Sequence, residues 1–116
     1  MDSGATDNFG REEDGMIPTG EPSNKVVGCP NGGLMIAKEK ALLPMRSLRK
    51  RAREGDIIPG LANDTLCSIP KLATNGYTSI FYANEEGMEV YDAKDVEIKA
   101  TAEPVLRGWR DQRGLW

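Results

Sequence analysis

Lys25-Val26-Val27-Gly28-Cys29-Pro30-Asn31-Gly32-Gly33-Leu34-Met35-Ile36-Ala37 decides the fold class. Two short apolar runs flank Asn31-Gly32, a pair that favours a tight turn because both residues tolerate positive φ. The stretch predicts a β-hairpin. Further out the same kind of signal recurs. Tyr77-Thr78-Ser79-Ile80-Phe81-Tyr82 is β-branched and aromatic, 84–87 has turn composition, and Met88-Glu89-Val90-Tyr91 alternates as a returning strand. Segment 96–100 alternates again, and 105–109 and 114–116 predict a closing pair of strands around a turn at 111–113, with Trp109 and Trp116 as packing anchors. Ala41-Leu42-Leu43-Pro44-Met45 predicts a short strand that Pro44 confines to an edge or a strand end. Ile57-Ile58-Pro59-Gly60-Leu61 predicts a strand ending in a Pro-Gly turn.

One helix is predicted. Leu66, Ile69 and Leu72-Ala73 share a helical face, Asp64 or Thr65 can cap its start, and Asn75-Gly76 stops it. Residues 7–24 are polar and rich in Gly, Pro and acids, which predicts a long loop with a short extended piece at Met16-Ile17. The expectation is a single domain over 1–116, all-β, barrel-like or sandwich-like, with about eight short strands and one helix.

Composition narrows the chemistry. The chain has 116 residues, 39% of them hydrophobic, with 13 Gly, 7 Pro and no His. The missing His removes Ser-His-Asp and Cys-His nucleophile systems and histidine metal sites. The net charge of −3 argues against a dedicated nucleic-acid-binding domain. Arg46, Arg49, Lys50, Arg51 and Arg53 form a local basic run, first read as a solvated strand or loop and second as a nuclear-localisation signal or an RNA- or DNA-contact patch. Cys29 and Cys67 stand in no metal-ligand spacing and read as reduced thiols. Glu12-Glu13-Asp14 lack the alternation of a calcium loop. No metal and no cofactor are expected. Asp7, Asp56, Asp64 and Asp92 read as turn or cap residues. No apolar run reaches the ~18 residues of a membrane span, and an acidic, polar segment follows Met1, so the expected location is cytoplasmic.

Asp2-Ser3-Gly4-Ala5-Thr6 carries the chemical signal. An Asp in such a turn can present its carboxylate to water, Gly4 permits the turn, and Ser3 can bond nearby backbone. The motif occurs once, whereas peptide hydrolysis by carboxylates needs two that share a proton. It is followed by a polar loop and a hairpin tipped by Pro30-Asn31-Gly32. Then come Ile57-Ile58-Pro59-Gly60-Leu61, Leu66-x-Ser68-Ile69-x-x-Leu72, Asn75-Gly76-Tyr77-Thr78 leading to Phe81, and Gly108-Trp109-Arg110-Asp111 before Gly114-Leu115-Trp116. Over nearly its whole length the chain resembles the retropepsin-like aspartic protease domain of copia-type retrotransposon polyproteins.

The resemblance implies a closed barrel of short strands and a homodimeric aspartic endopeptidase whose polypeptide substrate is the element's own polyprotein. It implies one catalytic Asp2 from each subunit, Ser3 locking the two catalytic turns together, and Gly4 shaping them. The hairpin would be a flap, with Ala5, Asn31, Gly32 and Gly33 against the substrate, and 66–72 would be the short helix behind the site. In that family an apolar strand leads into the catalytic turn, while here only Met1 precedes Asp2. Pro70 stands where the family has a small residue, and Cys29-Pro30 and a double Gly mark the flap. These departures give a second reading, an inactive remnant serving as a dimerisation or peptide-binding module.

Overall fold

The computed structural model describes residues 1, 4–29, 32–61 and 65–113. Eight short strands run through it: β1 (Asn8–Gly10), β2 (Ile17–Pro22), β3 (Val26–Gly28), β4 (Leu34–Ile36), β5 (Glu39–Leu42), β6 (Glu54–Ile57), β7 (Tyr77–Phe81) and β8 (Met88–Asp92). Two short α-helices, α1 (Lys50–Arg53) and α2 (Ile69–Thr74), and two 3-10 turns at Glu12–Asp14 and Ala93–Asp95 complete the order.

The strands form three sheets: a four-stranded one in the order β1-β6-β5-β2, and the pairs β3-β4 and β7-β8. Among the described residues these sheets do not close into a barrel, which corrects that part of the expectation. The mostly-β character stands. Two of the predicted hairpins form. β3 and β4 pair Val26 with Ile36, Val27 with Met35 and Gly28 with Leu34, and Gly32 takes a φ of 83° at the tip. β7 and β8 pair Tyr77 with Asp92 through to Phe81 with Met88, across a turn in which Asn84, Glu85 and Gly87 all have positive φ.

The remaining sheet rests on pairings distant in sequence. β1 runs parallel to β6, Asn8 beside Gly55 and Gly10 beside Ile57. Its other side meets Leu66, where Phe9 and Leu66 exchange two backbone hydrogen bonds of 3.1 and 2.6 Å, so all three residues of β1 are buried. β5 lies between β2 and β6. It is an interior strand that ends at Leu42, so of the two positions the sequence allowed Pro44, an edge or a strand end, the structure uses the strand end. The chain turns at Pro59-Gly60 as expected, closed by a bond from the Leu61 amide to the Ile58 carbonyl.

Two apolar clusters hold these pieces. Met16, Ala41, Leu43, Ala52, Ile57, Cys67 and Leu72 make the larger one, with Leu48, Tyr77 and Val90 packed against it. Phe9, Ala37 and Ile58 make the other, covered by Val27, Met35 and Leu61. Alternate residues of β5 and β6 diverge from the core: Lys40, Glu54 and Asp56 border a cleft of about 610 Å³.

Other elements differ from expectation: the long loop predicted over 7–24 holds β1, a 3-10 turn and β2, because pairing with β6 and β5 extends it. The helix starts at Ile69, capped not by Asp64 or Thr65 but by Ser68, whose hydroxyl accepts from the Lys71 amide at 3.1 Å. Pro70 then falls in the first turn, where its missing N–H costs nothing. Leu66 leaves the helix to bond β1. The basic run at 46–53, read as a strand or loop, holds one helical turn, α1, which sets Ala52 in the core.

Beyond Ala93–Asp95 no strand forms among the described residues, which corrects the strands predicted at 96–100 and 105–109. Alternation gives these segments one apolar edge, but among the described residues they pair with none of the three sheets. Ile98, Val105, Leu106 and Trp109 are exposed, Trp109 at 77%, so Trp109 is not the expected packing anchor. Trp116 and the predicted strand 114–116 lie outside the described residues.

Candidate functional site

Asp2 and Ser3, the expected catalytic pair, lie outside the described residues, as does Asn31. Gly4, Ala5, Gly32 and Gly33 are described. Gly4, Gly32 and Gly33 are exposed and Ala5 is half-buried. At the hairpin tip the Cys29 amide donates to the Gly33 carbonyl at 2.8 Å and the Gly32 amide to the Cys29 carbonyl at 3.0 Å.

The segment that follows the motif is fastened residue by residue. The Ala5 carbonyl accepts from the Ser68 hydroxyl at 2.5 Å. Asp7 accepts from the Asn8 amide at 2.8 Å and from Lys71 Nζ at 2.5 Å, and also pairs with Lys25. Asn8 is fully buried, and its amide group is saturated. Nδ2 donates to the carbonyls of Ala52 and Glu54, both at 2.8 Å, while Oδ1 accepts from the Ser68 amide at 2.7 Å. Reversing the Asn8 amide would set like against like at all three contacts, so its orientation is fixed.

Lys25 stands at the entrance to β3 and joins the hairpin to this segment. Its ammonium bridges Asp7 and, at 3.1 Å, the buried Asp56, and it lies 5.9 Å above the centre of the Phe9 ring. Asp56 also accepts from the Ser23 hydroxyl at 2.6 Å. Burial alone would raise the Asp7 carboxyl. The hydrogen bonds from Lys25, Lys71 and the Asn8 amide outweigh it and hold Asp7 below its ordinary value. For Lys25 burial works downward, and Asp7 and Asp56 outweigh it and raise the ammonium.

Asp7 and Asp56 are therefore not solvated turn residues. They belong to a charged network beside the motif, with Lys25 and Lys71. Asp92 is the cap it was expected to be, accepting from the Lys94 amide, and it also binds the Arg49 guanidinium at 2.7 Å. Asp64 lies outside the described residues. Sequence reading also missed Asn8, Ser68, Lys25 and Lys71. Pro70 was a usable signal for Ser68, since a proline early in a helix places the cap one or two residues before it.

The other candidates have structural partners. Arg49 stacks 4.3 Å from the centre of the Tyr77 ring and also binds the Asn75 carbonyl, while Arg53 Nε donates to the Leu43 carbonyl at 2.8 Å. Two of the five cations of the basic run are thus engaged within the fold. Glu13 and Asp14 pair with Arg11. Among the described residues no three His, Cys, Asp or Glu side chains converge as a metal site. Cys29 and Cys67 are free thiols, and burial pushes the Cys67 thiol up. No helix among the described residues is long and apolar enough to cross a membrane. The chain matches no protein-family model, no curated protein and no solved structure.

Proposed function

We propose that the protein is an aspartic endopeptidase that acts as a homodimer on an extended polypeptide, in the manner of retropepsin-like enzymes that process retroelement polyproteins. Each subunit contributes one Asp2. One carboxylate of the pair is protonated and the other ionised. The ionised member takes a proton from a water between them as that water attacks the peptide carbonyl, and the protonated member gives its proton to the carbonyl oxygen. The resulting gem-diol collapses as the leaving nitrogen is protonated. Ser3 ties the two turns together and Gly4 shapes them. The hairpin closes over the substrate, with Asn31, Gly32 and Gly33 at its tip and Ala5 beneath, and excludes water.

The observation that carries this reading is a juxtaposition. The described residues that follow the motif in sequence enter β1, a buried strand held on both sides, and the hairpin packs through Val27 and Met35 on the apolar cluster that contains Phe9 of that strand. The test is cleavage of an unfolded polypeptide at pH 5 by the wild type and by Asp2→Asn. The expected outcome is cleavage by the wild type alone. Equal cleavage by the variant would remove Asp2 from the chemistry.

A further inference from the structure

We infer that the exposed cations of 46–51 and the indole of Trp109 form a docking surface for single-stranded nucleic acid, with phosphates on the cations and a base on the indole. This surface is independent of the Asp2 motif. Segment 45–53 carries five cations and no acid, so the net charge of −3 hides a local concentration of positive charge. Arg49 is engaged with Asp92 and the Asn75 carbonyl, and Arg53 with the Leu43 carbonyl. Arg46, Lys50 and Arg51 are exposed, and among the described residues none of them makes an ion pair. Two of these three are arginines, whose planar fork fits a phosphate.

Arg110 anchors the segment that carries Trp109 next to this patch. Its Nη1 donates to Thr74 Oγ1 at 2.9 Å, at the end of α2. Arg49 Nη2 donates at 2.9 Å to the carbonyl of Asn75, the next residue. The two guanidiniums thus hold adjacent residues of one helix end. The acids at this end, Asp92 and Asp111, are paired with Arg49 and Arg113. Trp109, one residue before Arg110, is 77% exposed, so its indole contributes little burial to the fold and keeps its face open. Phosphates give affinity without regard to sequence, and any base can stack on an aromatic face. Stacking requires a base free of its pairing partner, so this combination selects a single strand. A duplex or an acidic peptide would use the cations alone. A bilayer is disfavoured because α1 turns its apolar residue, Ala52, into the core, which leaves the cationic segment no apolar face to lay on lipid.

The full chain is titrated into labelled single strands of about 20 nucleotides, one of RNA and one of DNA, into the matching DNA duplex, and into phosphatidylserine vesicles. Trp109→Ala, Trp109→Phe and a triple variant, Arg46→Gln with Lys50→Gln and Arg51→Gln, are compared with the wild type. All four positions are exposed, and thermal unfolding checks that each variant is folded. The Trp109 variants decide the matter should the triple variant not fold. The wild type is expected to bind the single strands at least about tenfold tighter than the duplex. Its log affinity should fall against log salt with a slope of about −2, as three phosphate contacts on a single strand give. Trp109→Ala should weaken binding roughly 5- to 100-fold, while Trp109→Phe stays within about threefold. The triple variant should flatten the salt slope. Phosphates and base faces are common to RNA and DNA, so binding of either strand supports the inference. Equal affinity for strand and duplex, unchanged affinity in Trp109→Ala, or an unchanged slope in the triple variant would overturn it. Binding to the vesicles alone, or to no probe at about 50 mM salt, would overturn it equally.

Discussion

Asp7 shows how single side chains set the behaviour of this region. Its folded-state pKa lies below its unfolded value because Lys25, Lys71 and the Asn8 amide outweigh burial. The unfolded chain therefore binds its proton first on acidification. The stability that Asp7 contributes is fully present above about pH 4 and is lost as pH falls through the lower, folded value. Lys25 is raised, so its contribution persists through neutral pH and fades only as pH climbs through its folded value. Asp7→Asn is expected to cost about 1–3 kcal/mol at pH 5 to 7, with the gap to the wild type closing as pH falls through the lowered folded-state value of Asp7. Urea unfolding at a series of pH values measures it, and a gap that does not vary with pH would contradict this account. The pairing of Asp7 with Lys25 and Lys71 is therefore intact at pH 5. Asn8→Ala leaves two carbonyls and one amide without their buried partner and should cost about 3 kcal/mol or more, read in the same unfolding experiment. Neither role was legible in the sequence. Asp7 meets Lys25 and Lys71 at separations of 18 and 64 residues, and no local pattern announces such partners.

Among the elements, legibility followed locality. The hairpins β3-β4 and β7-β8 could be read because each is closed by its own turn residues. β1 and β2 could not. β1 is three residues long and takes its support from β6 and Leu66, while β2 carries Pro18, Gly20 and Pro22, tolerated because it is an edge strand with a register irregularity. The cap of α2 was misplaced by three or four residues because Leu66 looks helical by spacing but is used to pair with Phe9. The contact between β1 and β6 is tight. A Cβ built on Gly55 would lie 2.4 Å from the Asn8 carbonyl oxygen and 2.7 Å from Asn8 Cβ. Gly55→Ala must therefore push β1 away from β6, at a cost of about 1–3 kcal/mol. Thermal unfolding checks this, and a neutral result would mean that the strands stand further apart than described.

In the molecule as a whole, order is concentrated before Ala93. The clusters around Met16 and Phe9 draw on residues up to Val90, whereas the described residues after Asp95 are nearly all exposed. The apolar alternation at 96–100 and 105–109 looked like strand in the sequence because pattern reports what a segment could bury, not whether a neighbour is there to bury it against. Leu106→Ala and Trp109→Ala should each change the unfolding free energy of a single chain by less than about 0.5 kcal/mol. A larger loss in a dilute, monomeric sample would show that this segment packs onto the fold.

The central claim is that two copies of Asp2 act together. The most direct measurement is the rate of cleavage of an unfolded polypeptide per mole of chain, at pH 5, across a wide range of protein concentration. A shared dyad predicts that this specific rate rises with concentration and levels off where sedimentation shows the dimer to be complete. Cleavage that is independent of concentration, or a fully formed dimer that cuts nothing, would contradict it.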